Sequence, residues 1–189
     1  MSEEIVAKGK IFELVQIQQD DGRIFEVARR APGVRVIIVD DAAKKILLTK
    51  EFRHELEEWD YRLPGGKVFD TLDEFAAFRM RDEDILLAAK AKAVAEAREE
   101  AGIEVEEIEF VEKSTLGATV EWDLYVFVAH KWSLSSAGQE LEIGEMIEAD
   151  VWVGFEEARR MILVGDMKEG RVALILLQWL EGNGHVAAK

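Results

Sequence analysis

Three glutamates, Glu96, Glu99 and Glu100, stand at i, i+3 and i+4 in a stretch rich in Ala, Leu, Lys and Glu. Those residue types are strong helix formers, so the spacing predicts a helix from about Asp82 to Ala101, ended by Gly102. At 3.6 residues per turn the three carboxylates share one face. Like charges so close destabilise a helix, and packing offers nothing in return. Hard divalent cations do offer compensation, because Mg2+ and Mn2+ take carboxylate oxygens and substrate phosphates as ligands. An acidic helix face is more often simply solvated, so the triplet alone is a weak signal. Upstream of it lies a rigid glycine-rich loop, Leu63-Pro64-Gly65-Gly66-Lys67.

The elements that must position these groups read as α/β. Ile11 to Ile17 alternates apolar and polar, Asp20-Asp21-Gly22 is a turn, and Arg23 to Ala28 resumes an extended pattern. Pro32-Gly33 precedes the β-branched run Val34 to Val39, and Asp40-Asp41 turns the chain into a further strand, Lys45 to Thr49. Ile103 to Val111 and Leu124 to Ala129 have strand character, and Glu156 to Leu163 and Arg171 to Leu180 read as closing helices. Residues 1–31 form a small antiparallel appendage on a domain spanning 32–189.

Composition narrows the function. A formal charge of −15 argues against a nucleic-acid partner, which would need a basic stripe. No apolar run is long enough to span a membrane. The first residues lack the basic-then-apolar pattern of a secretion signal. With no cysteine in 189 residues, disulfides, thiolate nucleophiles and cysteine zinc sites are excluded, and cytoplasm is the default compartment. His54, His130 and His185 have no metal-ligand spacing. Five tryptophans more often build core than stack on a base; Trp122 is the one to test for ligand contact.

The segment Glu96-Ala97-Arg98-Glu99-Glu100-Ala101-Gly102-Ile103 resembles the end of the Nudix box, G-x5-E-x7-R-E-U-x-E-E-x-G-U with U apolar. Leu63 to Lys67 is similar to the entry of that box. Two features depart from the pattern. Gly66 and Glu96 are separated by thirty positions where the family has fifteen, which implies an inserted loop or helix around Phe69 to Asp84. The early box glutamate is then Glu74 or Glu83. Ala95 replaces the box arginine, leaving Lys92 or Arg98 to orient the glutamates.

The resemblance is best to the ADP-ribose pyrophosphatase branch. It implies a Nudix-type α/β/α sandwich with a mixed sheet, and an N-terminal appendage that builds a homodimer. It further implies Mg2+, with Mn2+ as the alternative, on Glu96, Glu99, Glu100 and the Gly65 carbonyl. Glu121, in the loop Gly117-Ala118-Thr119-Val120-Glu121, and Glu99 are the implied catalytic residues. Arg53 would grip a substrate phosphate, with Arg29 or Arg30 beside it. The expected reaction is hydrolysis of ADP-ribose or another nucleotide sugar to a nucleoside monophosphate and a sugar phosphate. Dinucleotides or nucleoside triphosphates are the alternative substrates, and an inactive nucleotide-binding module is the alternative of another class.

Overall fold

The computed structural model describes residues 2–54, 56–81 and 83–185. The chain opens with β1 (Ser2–Lys8), β2 (Glu13–Gln18) and β3 (Ile24–Arg29), paired antiparallel in that order. β1 is not visible in the sequence because none of its seven side chains is buried, so no core-facing period marks it. The strand expected from Ile11 begins instead at Glu13.

Gly33 starts the central sheet. Its strands are β4 (Gly33–Asp40), β5 (Lys45–Arg53), β6 (Glu58–Arg62) and β7 (Ile103–Ser114). A two-residue β8 (Val120–Glu121) joins the N-terminal sheet, running parallel to β3. β9 (Leu124–Leu134) and β10 (Ile147–Gly154) complete the central sheet in the order β10-β5-β4-β9-β7, with β6 on β5. β4 and β9 are parallel and the other pairs antiparallel, so the sheet is mixed.

Among the described residues four helices accompany it: α1 (Leu72–Arg79), α2 (Ile85–Ala101), α3 (Phe155–Val164) and α4 (Gly170–Gly182). Successive β4 side chains serve opposite faces, as strand geometry requires. Val34, Val36 and Ile38 pack with Ala89, Ala93 and Ala97 of α2, whereas Ile37 and Val39 pack with residues of α3 and α4. The alanines recur every fourth position and are fully buried, which lets the helix backbone approach the sheet closely. A helix on one face and two on the other make the α/β/α sandwich that the resemblance implied.

α1 lies in the inserted stretch. Thr71 and Glu74 form a capping box: the Thr71 hydroxyl accepts from the Glu74 amide at 3.1 Å, and Glu74 accepts from the Thr71 amide at 3.3 Å. The expected start of the following helix, Asp82, lies outside the described residues. Asp84 caps α2 by accepting from the Leu86 amide at 2.8 Å, and Gly102 ends it in the left-handed region.

Candidate active site

The last two turns of α2 face the Leu63–Lys67 loop, and this contact depends on glycine. A Cβ on Gly66 would stand 2.0 Å from Glu96 Oε1, and one on Gly65 would stand 2.1 Å from the Val34 carbonyl oxygen. Gly65 also has φ near 151°, where other residues are strained. Its amide donates to Glu100 Oε2 at 2.7 Å, so the loop backbone holds the glutamate directly.

Glu96, Glu99 and Glu100 all border one cleft of about 240 Å³, together with Gly65 and Gly66. Burial pushes the Glu96 carboxyl above its ordinary value against the pull of Lys92. The Glu100 carboxyl is pushed up to about 8, first by burial and then by the charge of Glu96. Such carboxylates gain from a nearby cation. Lys92 is the one the chain supplies: its ammonium lies 2.9 Å from Glu96 and 3.4 Å from Glu99. Arg98, the other expected substitute for the box arginine, pairs with Glu99 at 3.7 Å and with Glu140 at 3.3 Å. Lys92 therefore contacts two of the three glutamates, and Arg98 one.

These carboxylates have the chemistry that a hard divalent cation requires, hard oxygens converging on one cleft. Their oxygens are not gathered into one cage: among the described residues no group of three acids or histidines is close enough to hold a metal ion. The reason is local. Lys92 lies between Glu96 and Glu99, and Glu100 turns to the Gly65 amide. Neither candidate for the early box glutamate borders the cleft, since Glu74 is spent on the α1 cap and Glu83 pairs with Arg81 at 3.2 Å.

Part of the lining is basic. Arg30 and Arg53, both expected substrate contacts, border the cleft, and so do Arg35, Arg62 and Trp122. Arg53 is held by Glu51 at 2.8 Å, and Arg62 reaches both Glu51 and Glu169. Arg35 shares Glu169 at 3.1 Å and leaves its Nε buried with no acceptor. Arg30 lies against the Trp122 ring, 4.1 Å from its centroid, and 5.3 Å from that of Phe12. Arg35, Arg62, Glu51 and Glu169 were not foreseen, because they come from separate elements and no spacing links them.

Arg29 and Glu121 are placed elsewhere. They are register partners across β3 and β8, and Arg29 Nε donates to Glu121 Oε2 at 2.7 Å. Arg29 is buried and also pairs with Glu3 at 2.9 Å and Glu13 at 3.5 Å. Neither borders the cleft in this conformation. The carboxylates that do border it from loops are Asp70, between β6 and α1, and Glu140, Glu142 and Glu145, between β9 and β10.

Comparison with known proteins agrees with this geometry. The profile of the NUDIX domain family matches residues 29–174. The chain belongs to the Nudix family. It is a Nudix-type pyrophosphohydrolase, as the resemblance at Glu96 to Ile103 implied. A GDP-mannose pyrophosphatase of Enterobacter sp. (strain 638) is 29% identical over 168 residues, covering 86% of this chain and 80% of that protein. A solved structure described as an ADP compounds hydrolase superposes with a TM-score of 0.67 at 20% identity. That match covers 98% of this chain and 95% of the other, and it shows a shared fold.

The glycine contact makes a testable separation of activity from folding. In Gly66→Ala the new methyl meets the end of a side chain, so Glu96 must swing away while the backbone stays. Displacing a catalytic-site group by about 1 Å can lower turnover about 100-fold. Steady-state kinetics should show that loss with a melting temperature within a few degrees of the parent. Gly65→Ala meets backbone instead, and should unfold at markedly lower temperature.

Proposed function

We propose that the chain hydrolyses the diphosphate of nucleotide sugars, ADP-ribose foremost, to a nucleoside monophosphate and a sugar phosphate. The observation that carries this reading is a single cleft lined both by Glu96, Glu99 and Glu100 and by Arg30, Arg53 and Arg62. The names of the two similar proteins, a GDP-mannose pyrophosphatase and an ADP compounds hydrolase, support a nucleotide-linked diphosphate as substrate.

Glu96, Glu99, Glu100 and the Gly65 carbonyl would hold Mg2+, or Mn2+ in its place, which when bound neutralises charge on the diphosphate. The arginines position that diphosphate, and planar guanidinium suits the task better than ammonium because it donates in pairs. Water attacks one phosphorus, the bridging P–O bond breaks, and the water proton passes to a carboxylate. Glu99 would receive it, or one of the loop acids Glu140, Glu142 and Glu145 that border the same cleft. Glu121 would first have to leave Arg29.

One observation favours a second reading. Lys92 already satisfies Glu96 and Glu99, as it would in a binding module that does no chemistry. A screen of nucleotide sugars, dinucleotides and triphosphates with and without Mg2+, read by monophosphate release, separates the two. Cation-dependent cleavage of ADP-ribose or a related sugar supports hydrolysis; tight binding without any turnover supports the module.

The protein acts as a homodimer through its N-terminal sheet, where Ile5 and Ile24, with Ile11 in the loop between β1 and β2, are each more than half exposed. The lack of cysteine favours the reducing cytoplasm, and among the described residues no helix is long and apolar enough to cross a membrane. Sedimentation should give twice the chain mass. Removing residues 1–31, or the milder Ile24→Glu, should give the monomer; a dimer that survives both would refute the assignment.

A further inference from the structure

A second cavity, of about 300 Å³, lies beside the catalytic cleft and shares Arg30, Lys67 and Asp70 with it. Its remaining walls come from Lys10 and Ile11 of the appendage and from Phe69 to Leu72 of the insert. Arg29, Arg35, Arg53, Arg62 and Lys92 all pair with carboxylates. Among the described residues Lys10, Lys67 and Arg30 have no carboxylate within ion-pair distance, in a protein whose formal charge is −15. An anion seated in that concavity would meet three cations with which no described carboxylate is paired.

The placement is also rigid. The Lys67 backbone bridges Gly33, the neighbouring Val68 amide donates to the Pro32 carbonyl at 2.9 Å, and Arg30 is held between Phe12 and Trp122. Phe69 rests on Phe75 and Phe78, with ring centroids 5.6 and 4.9 Å away, and gives the cavity an apolar floor. Asp70, on the border between cavity and cleft, is an acceptor suited to sugar hydroxyls rather than to phosphate.

We propose that this cavity is a second anion subsite, taking a phosphate carried on the sugar of the nucleotide at the end distant from the cleaved diphosphate. The substrate class then narrows to nucleoside diphosphate compounds bearing an additional phosphomonoester. The inference rests on the proposed hydrolase reading for its substrate, and only on Lys10, Lys67 and Arg30 for its anion.

Two measurements keep those parts distinct. Calorimetry without divalent cation compares AMP with adenosine 2′,5′-bisphosphate and adenosine 3′,5′-bisphosphate. One of the bisphosphates should bind about tenfold more tightly. Lys10→Ala should abolish most of that advantage while leaving AMP affinity within twofold, and Lys10→Arg should restore it. With Mg2+, ADP-ribose carrying a 2′-phosphate on its adenosine should show a KM about tenfold below that of ADP-ribose at similar kcat. Lys10→Ala should raise only the former. If neither bisphosphate outbinds AMP, or if Lys10→Ala weakens all three equally, the subsite is refuted. Absence of turnover on every compound, with the bisphosphate preference intact, would refute the hydrolase reading and leave the subsite standing.

Discussion

Glu100→Gln is expected to lose about three orders of magnitude in kcat while the protein folds as before. Glu100 borders the cleft and is held by the Gly65 amide at 2.7 Å. A glutamine has the same shape and keeps an oxygen to accept that hydrogen bond. It lacks the negative charge that a divalent cation needs in a ligand. A thousandfold loss corresponds to about 4 kcal/mol of transition-state stabilisation, a reasonable share for one anionic ligand. Stability should move the other way. A carboxyl whose folded pKa is raised to about 8 binds more protons in the folded state, so stability falls as pH rises from its ordinary value towards 8. Glutamine removes that penalty. Without divalent cation at pH 8, Glu100→Gln should therefore melt no lower than the parent. Turnover within tenfold of the parent would remove Glu100 from the machinery, and a fall in melting temperature would mean that packing was disturbed.

The part of this site that the sequence makes legible is local. Glu96, Glu99 and Glu100 can be placed on one face because helical periodicity and the stop at Gly102 are properties of neighbouring residues. The loop at Gly65 and Gly66 is legible for the same reason. The insert was recognised only as extra length, although Thr71 and Glu74 carry a capping-box signature that marks the start of α1. β1 gives no such signal, since its order comes from pairing with β2 and not from a buried face. Of the basic wall, Arg30 and Arg53 follow from the resemblance, whereas Arg35 and Arg62 are beyond local reading. Arg35 is on β4, Arg62 on β6 and Glu169 caps α4, and only the folded sheet brings them together. Arg29 and Glu121 show the same limit from the other side. Both residue types suit substrate chemistry, yet the β3–β8 register pairs them with each other.

The second large effect concerns that wall. Glu169 accepts from Arg35 at 3.1 Å and from Arg62, and it is the carboxylate common to both guanidinium groups. Burial works against its ionisation, but Arg35 and Arg62 outweigh it and hold the carboxyl below its ordinary value. Glu169→Gln keeps the volume and removes the charge, leaving two largely buried cations with less compensation. Breaking a buried pair in this way costs about 3–5 kcal/mol, far more than the pair contributes over an apolar substitute. The melting temperature at pH 7 should drop by many degrees, with kcat/KM falling because Arg62 loses one of the carboxylates that position it in the cleft. The pH dependence identifies the cause. A depressed folded pKa contributes stability that is present above the ordinary carboxyl value and lost as pH falls through the folded one. The difference in melting temperature between parent and Glu169→Gln should thus be full at pH 6–7 and shrink in acid below about pH 4.5. A difference that stays constant from pH 7 to pH 3 would assign the loss to packing and not to charge.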